Sequence, residues 1–269
     1  MIPNIAVLAP PVRRIAQEAG QRILDIYRLT YTVTRKADHT PVTEADLAAH
    51  DCILHGLAGL TPGIPVLSEE SPAAELRERR QWEWLWLVDP LDGTREFISG
   101  SGEFSVNIAL VHRHAAVFGL ILIPISGVCY FAWRHGGAYR QLPGHPPEPV
   151  HTRRVGHHPV RIAGSRASYN GRALQAFLTR LGHHDYIGVG SALKSCLVAE
   201  GKVDLYPRFG PTSEWDTAAA QIIVEEAGGR LTDDQLRPLR YNARATLINP
   251  DFFVFGAPDY NWSQYLPHR

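Results

Sequence analysis

The amino-acid sequence predicts an α/β protein with an α+β first half and a smaller α/β second half. Two segments with helical periodicity open the chain, a run of apolar strand segments follows, and strand and helix patterns then alternate to the end. The 269 residues exceed the ~100 to 200 of a usual single domain, so we expect two units, residues 1–155 and residues 156–269.

The first half begins with two predicted helices. Residues 11–28 place apolar side chains on one helical stripe, and Pro11 suits a first turn. The second helix is predicted to begin after Thr43, which can cap it, with Asp46 in its first turn. Apolar runs separated by short turns within residues 84–140 then predict consecutive strands, antiparallel where the connections are short.

A Pro-rich and His-rich segment, residues 142–159, is the predicted linker. After it, strand and helix patterns alternate as in βαβ units. An amphipathic helix predicted for residues 214–229 and a strand predicted for residues 252–257 complete this second half.

Composition excludes several classes of protein. Lys and Arg together number 27, as do Asp and Glu, and no long basic run is present, so a nucleic-acid polymer is not the expected partner. The three cysteines are far apart and lack zinc-binding spacing. No signal peptide and no apolar stretch of about 18 residues is apparent, so we expect a cytoplasmic protein.

Acidic residues stand where predicted strands end or helices begin. Glu69 and Glu70 follow one apolar run, Asp89 and Asp92 follow another, and Asp216 opens the helix near residue 214. Each has an ordinary structural explanation, because Asp caps helices and forms turns at strand ends.

The combination in Asp-Pro-Leu-Asp-Gly-Thr, residues 89–94, favours a site over a simple turn. Pro90 lacks a backbone donor, Gly93 permits positive φ, and Thr94 supplies a hydroxyl. Two carboxylates held this close must share a proton or hold a cation. Oxygen ligands without a nearby His or Cys cluster favour Mg²⁺ or Mn²⁺ over zinc. Two such ions ~3.5 to 4 Å apart activate water against a phosphate ester.

Several blocks of the chain, in order, resemble the inositol monophosphatase superfamily of magnesium-dependent, lithium-sensitive phosphatases. The blocks are KADHTPVTEAD at 36–46, SEE at 68–70, WLVDPLDGT at 86–94, EFSVNIALV at 103–111 and GSALKSCLVAEGKVDLYPRFGPTSEWDTAAA at 190–220. Within the superfamily they are most similar to the CysQ-type branch, the 3′(2′),5′-bisphosphate nucleotidases. The resemblance implies a five-layer α/β/α/β/α sandwich of the inositol monophosphatase/fructose-1,6-bisphosphatase type. It also implies an N-terminal metal-binding domain and a C-terminal domain that closes the active site.

The resemblance assigns roles to individual residues. The metal ligands it implies are Glu69, Asp89, the backbone carbonyl of Leu91, Asp92 and Asp216. They would hold two or three Mg²⁺, with Mn²⁺ as a substitute and Li⁺ as an inhibitor. Thr94 and Asp46, with Glu69, would position and deprotonate the attacking water, because a Thr hydroxyl alone is a poor base. The ordinary alternative for Asp46 is a first-turn acid that the helix dipole favours.

Substrate contacts are implied in the same way. The set is Gly93, Thr94, Ser191, Lys194, Arg208, Glu214 and Asp216. The amides of Gly93 and Thr94 would hold phosphate oxygens, Lys194 and Arg208 would hold a second phosphate, and Glu214 would contact sugar hydroxyls. Solvated surface charge is the ordinary alternative for the two cations. Residues 163–170 carry Tyr169 where relatives have His, which leaves open the role of Ser165 and Arg166.

The expected reaction is hydrolysis of 3′-phosphoadenosine 5′-phosphate to AMP and phosphate. The alternatives are an inositol monophosphatase, a sugar-bisphosphatase, or a non-catalytic metal- or nucleotide-binding protein. The last is disfavoured because none of the implied metal ligands, nor Thr94, is replaced. The expected partner is a small phosphate ester. The resemblance allows a monomer or a homodimer, and implies loose association with the inner face of the membrane for this branch.

Overall fold

The structure, a computed structural model, describes residues 5–29, 33–35, 41–72, 78–154, 156, 159–166 and 169–266. These residues form six α-helices and fourteen β-strands. The helices are α1 Ala9–Tyr27, α2 Glu44–Leu60, α3 Thr94–Ile98, α4 Arg172–Leu181, α5 Leu193–Ala199 and α6 Glu214–Glu226. Residues 36–40 of the first family block, and Ala167 and Ser168 of the 163–170 loop, lie outside the described residues.

A seven-stranded sheet forms the centre of the first half, in the order β3-β4-β5-β6-β7-β8-β9. Its strands are β3 Val66–Ser68, β4 Trp84–Asp92, β5 Ser105–His112, β6 Ala115–Ile123, β7 Val128–Trp133, β8 Gly137–Gln141 and β9 Glu148–Pro149. From β4 to β9 each strand runs antiparallel to the next, as the short turns between β5 and β8 predicted, whereas β3 pairs parallel with β4. A separate two-stranded ribbon joins β1 Val33–Arg35 to β2 Pro41–Thr43.

A five-stranded mixed sheet forms the second half, in the order β11-β10-β12-β14-β13. Its strands are β10 Val160–Gly164, β11 His184–Gly188, β12 Leu205–Arg208, β13 Arg230–Asp233 and β14 Phe252–Phe255. Strand β10 pairs parallel with β11 and β12, as the alternating pattern predicted. Strand β14 is antiparallel to both of its neighbours.

Three apolar clusters bind these elements into five layers. One buries α1 and α2 against the outer face of the seven-stranded sheet. The second packs α5 and α6 between the two sheets, and the third packs α4 against the outer face of the five-stranded sheet. The contact between α6 and the larger sheet is close, since a Cβ at Gly119 would lie 2.5 Å from the Ala219 carbonyl oxygen. The predicted α/β/α/β/α sandwich is therefore confirmed.

The predicted linker is partly incorporated into the larger sheet. Within residues 142–159, strand β9 pairs with β8 at the edge, a position that tolerates its proline because one side of the strand needs no partner. The division at residue 155 stays a prediction. In the described part of the chain, no helix has the length and apolar character needed to span a membrane.

Candidate active site

The start of α2 holds Asp46 by one oxygen and leaves the other for the site. Asp46 Oδ2 accepts hydrogen bonds from the Thr43 backbone N–H and from Thr43 Oγ1, both at 2.7 Å. Asp46 Oδ1 accepts from Thr94 Oγ1 at 3.2 Å. The helix-capping role and the contact with Thr94 therefore coexist in one carboxylate.

The end of β4 carries Asp89 and Asp92 through an irregular stretch. Asp89 pairs with Asn107 and Asp92 with Ser105, so one extra residue bulges out between the two acids. The Leu91 amide donates to Asp89 Oδ1 at 3.0 Å, which is the turn expected of an Asp followed by Pro. The bulge therefore shifts the register of the strand between the two acids.

Gly93 ends this stretch in a conformation that requires glycine. Its φ is 95°, and it caps the start of α3. A Cβ at this position would lie 3.1 Å from the Glu103 carbonyl oxygen and 3.3 Å from Ser191 Cβ. The chain therefore turns directly into α3 and brings Thr94 to face Asp46.

The neighbouring strand supports Asp92. Asn107 Nδ2 donates to Asp92 Oδ2 at 3.4 Å, and Asn107 Oδ1 accepts from Ser105 Oγ at 3.0 Å. Both Ser105 and Asn107 are buried. Sequence reasoning missed Asn107, although a lone amide inside the apolar run FSVNIALV was the available signal.

Two further acids approach from other elements. The Glu69 amide donates to the Val88 carbonyl at 3.0 Å, which places Glu69 beside the residue before Asp89. At the start of α6, Asp216 Oδ2 accepts from the Ser213 amide at 2.8 Å in a capping box. As with Asp46, the capping role that the sequence offered as the ordinary alternative is present alongside the placement at the site.

These acids are close enough to change one another's ionisation. Burial, followed by the charges of Glu69, Asp92, Asp216 and Asp46, raises the pKa of Asp89 well above its usual range. Burial and the charge of Asp92 raise the pKa of Asp216 to about 8. Burial also raises the pKa of Asp92, although Lys194 opposes this, and the pKa of Asp46, which the bonds from Thr43 oppose.

The donor set fits a hard divalent cation. It consists of carboxylate and carbonyl oxygens, and mutual repulsion of the buried acids is what a bound cation would relieve. Within the described residues, no group of three or more Asp, Glu, His or Cys side chains lies in an arrangement that could already hold a metal ion. The acids act on one another through their charges and through a side-chain hydrogen bond between Asp89 and Asp216.

A cavity of about 220 Å³ opens beside this cluster. Its lining includes Asp92, Gly93, Ser191, Lys194, Arg208 and Asp216. The Lys194 side chain is buried, lies 5.3 Å from the centre of the Tyr206 ring, and donates to the Ser191 carbonyl. Burial lowers the pKa of Lys194 to about 8, although Asp92 opposes the shift. Lys194 is therefore not the solvated surface charge that was its ordinary alternative.

A second cavity of about 350 Å³ adjoins the first. Ser165, Tyr206 and Arg208 line both cavities. The walls of the second are otherwise largely apolar, with Leu174 and Phe209 among them. The two cavities together form an elongated site with an acidic end and an apolar end.

Two residues singled out from the sequence take other positions. Glu214 is fully buried, and its Oε2 accepts from the Asn242 amide at 2.6 Å, so the structure does not bring it to the cavity wall. Arg166 pairs its guanidinium with Glu103, whose Oε2 also accepts from the Gly190 amide at 2.8 Å. Spacing along the chain gave no signal for Glu103 as the partner of Arg166.

The layered fold and the acidic cluster at the end of β4 together define the class of inositol monophosphatase-like phosphatases. The chain belongs to the inositol monophosphatase family, whose sequence model matches residues 6–258. Phosphatases of this family depend on a metal, generally Mg²⁺. The family membership predicted from the sequence blocks is confirmed.

Within this family, the chain is similar to several proteins named CysQ. The chain is 44% identical over 245 residues to the 3′(2′),5′-bisphosphate nucleotidase CysQ of Escherichia coli K12, covering 90% of this chain and 97% of the relative. It is 45% identical over 245 residues to CysQ of Salmonella typhimurium, with the same coverage. Among solved structures, CysQ from Bacteroides thetaiotaomicron superposes with a TM-score of 0.78 at 37% identity, covering 94% of this chain and 98% of that one.

Proposed function

We propose that this protein is a Mg²⁺-dependent 3′(2′),5′-bisphosphate nucleotidase that hydrolyses 3′-phosphoadenosine 5′-phosphate to AMP and phosphate. One observation carries the proposal: a single cavity joins the acidic residues Asp92 and Asp216 to the cations Lys194 and Arg208. A substrate with two phosphates needs positive charge away from the metals as well as at them. The names of the CysQ relatives support the same substrate class.

The metal ligands in this proposal are the acids and the carbonyl that the sequence resemblance implied. They are Glu69, Asp89, the Leu91 carbonyl, Asp92 and Asp216, for two or three Mg²⁺, with Mn²⁺ as a substitute and Li⁺ as an inhibitor. Bound cations there neutralise the acidic cluster, attract the phosphate and lower the pKa of a nearby water. The protein supplies carboxylate and carbonyl oxygens after β3, at the end of β4 and at the start of α6.

Thr94 and Asp46 handle the proton of the attacking water. Thr94 Oγ1 already donates to Asp46 Oδ1, so it can accept a proton from water as it passes its own to Asp46. The raised pKa of Asp46 favours its acceptance of that proton. The water oxygen forms the new bond to phosphorus, the bond from phosphorus to the 3′-oxygen breaks, and a solvent proton completes the 3′-hydroxyl.

The remaining site residues orient the substrate. The amides of Gly93 and Thr94 at the start of α3 hold oxygens of the phosphate that is cleaved. Ser191 Oγ is buried and has no hydrogen-bond partner among the described residues, so with Lys194 it is available to the second phosphate. Arg208 lies between the two cavities, and the larger cavity accommodates the base.

A phosphate-release assay across matched substrates tests the proposal. With Mg²⁺, we expect kcat/KM for 3′-phosphoadenosine 5′-phosphate to exceed that for inositol 1-phosphate and fructose 1,6-bisphosphate by about tenfold or more. 3′-AMP lacks only the 5′-phosphate and isolates the contribution of the cationic side chains. Li⁺ should inhibit the reaction. A preference for inositol 1-phosphate, or equal rates for 3′-AMP and the bisphosphate, would contradict this substrate assignment.

A further inference from the structure

A buried network outside the cavity connects the chain before β4 to the start of α6. Its centre is Arg79, in the 3-10 helix Arg79–Gln81, and this residue is only 3% exposed. Full burial of an arginine is uncommon unless its donors are matched. The partners of Arg79 therefore indicate what the residue does.

Arg79 uses both arms of its guanidinium. Nη1 donates to Asn242 Oδ1 at 2.7 Å, and Nη2 donates to the carbonyl oxygens of Arg244 at 2.9 Å and Ala245 at 2.6 Å. Asn242 Nδ2 donates back to the Arg79 carbonyl at 2.5 Å. Because the two arms reach acceptors on different residues, a planar fork suits this position and a single ammonium does not.

Asn242 connects Arg79 to the start of α6. Its backbone N–H donates to Glu214 Oε2 at 2.6 Å, and its φ of 56° is one that Asn adopts more readily than most residues. The Arg244 guanidinium lies 3.7 Å from Glu214 Oε1. Glu214 is the first residue of α6, and Asp216 lies in the same turn.

The rest of the 242–249 segment holds the same turn of α6. The Glu214 amide donates to the Leu247 carbonyl at 2.9 Å. Asn249 Nδ2 donates to the Ser213 carbonyl at 2.6 Å and lies 3.0 Å from Thr217 Oγ1. The first turn of α6 is therefore fixed by residues 242–249, and Arg79 fixes that segment in turn.

We propose that Arg79 is a positioning residue for the metal-binding acids. Acting through Asn242 and residues 242–249, it sets the first turn of α6, and with it Asp216, against β4 with its acids Asp89 and Asp92. This inference rests on the metal ligands of the proposed function. It predicts that Arg79 governs metal affinity and leaves substrate affinity unchanged once the metal is saturating.

The test compares Arg79→Lys with the control Arg153→Lys. Arg153 forms a forked pair with Asp204, at 2.7 and 2.6 Å, away from the cavity, so both variants lose a buried or half-buried fork while retaining charge. Mn²⁺ binding to the purified metal-free protein is measured by electron paramagnetic resonance. Loss of outer-shell support weakens metal binding about tenfold or more, so we expect that change in Kd for Arg79→Lys and none for Arg153→Lys.

Phosphate release gives a second readout. The Mg²⁺ concentration for half-maximal rate should rise in Arg79→Lys, whereas KM for the bisphosphate at saturating Mg²⁺ should match the parent protein. A folded Arg79→Lys protein that binds Mn²⁺ as the parent does would overturn the inference while leaving the metal site intact. A parent protein that binds no Mn²⁺ would overturn the metal assignment itself, and the inference with it.

A second variant tests the same network in case Arg79→Lys does not fold. Asn242→Gly keeps the backbone N–H that binds Glu214 and accommodates the positive φ, but it removes the amide that binds Arg79. We expect weaker Mn²⁺ binding by this variant as well. An unchanged Kd in a folded Asn242→Gly protein would also refute the role of the network.

Discussion

Two aspartates, Asp89 and Asp204, are equally buried, each 2% exposed, but their surroundings are opposite. Asp204 accepts two hydrogen bonds from the Arg153 guanidinium and one from the Arg161 amide at 2.8 Å. Asp89 lies among other acids, and burial together with their charges raises its pKa well above the usual range. The chain thus supplies a counter-charge for one carboxylate and adds like charge around the other.

The difference separates a structural carboxylate from a functional one. A buried carboxylate that forms an ion pair with a basic side chain of the same protein contributes to the fold, and removing its partner leaves an uncompensated charge. A buried acid surrounded by acids is stable as an ion only when a cation comes from outside. The acids at the end of β4 therefore repel one another in the metal-free protein, and a bound cation would relieve that repulsion.

The largest expected effect comes from exchanging the two aspartates for asparagine. Asp89→Asn should lower Mg²⁺-dependent phosphate release by about 10³-fold or more, since several kcal/mol of transition-state stabilisation depend on the metals. It should fold normally, because it removes a repelled charge. Asp204→Asn should retain the chemistry but lose about 3 kcal/mol of folding free energy. Steady-state assays and urea titrations measure both, and undiminished turnover by Asp89→Asn would refute the metal assignment.

The next effect concerns Thr94, which connects the acidic site to Asp46. Thr94→Val preserves the shape of the side chain but cannot relay a proton, so kcat should fall about 10²-fold with little change in KM. Thr94→Ser retains the hydroxyl and serves as the matched control. Single-turnover phosphate release separates the chemical step from product release. Equal rates for the valine and serine variants would exclude the proton relay.

Sequence reasoning recovered the features that local pattern encodes. Periodicity and turn spacing predicted α1, α2, the antiparallel run and the alternating second half, and the compact segment 89–94 predicted the acidic site. Contacts between distant residues left no such pattern. Arg79 and Asn242 are 163 positions apart and neither stands in an acidic or glycine-rich block, so their bond could not be foreseen. The two-residue strand β9 was missed because the Pro-rich segment in which it lies is typical of a linker.

The placement of Glu214 shows a further limit. The resemblance implied that Glu214 contacts sugar hydroxyls beside Asp216, but residues at the first and third positions of a helix point in different directions. Asp216 caps the helix toward the acidic cluster, whereas Glu214 turns into the network around Asn242. Two residues close in sequence at the start of one helix can therefore contact different parts of the structure.

A smaller effect is the pH dependence of substrate binding through Lys194. Its pKa of about 8 means that the charged fraction falls about tenfold for each pH unit above 8. KM for 3′-phosphoadenosine 5′-phosphate should rise over the same range if this charge holds the second phosphate. KM for 3′-AMP should rise less, and Lys194→Arg, which stays charged, should flatten the profile. Parallel profiles for the two substrates would remove Lys194 from the phosphate site.

The pH dependence of the melting temperature tests the comparison of the two aspartates through stability alone. The pKa of Asp216 rises from 3.8 to about 8 on folding, so between these values the folded protein binds more protons than the unfolded chain. Stability of the metal-free protein should therefore decline as pH rises from about 4 to about 8. Bound Mg²⁺ would offset the repulsion and contribute about 2.7 kcal/mol at 100 times its Kd. The melting temperature should accordingly respond more to Mg²⁺ at pH 8 than at pH 5.

Two variants serve as the comparison for this pH profile. Asp89→Asn should flatten the pH dependence of stability in the metal-free protein, whereas Asp204→Asn should keep its slope. A metal-free protein that becomes more stable toward pH 8 would contradict the assignment of uncompensated charge to this cluster.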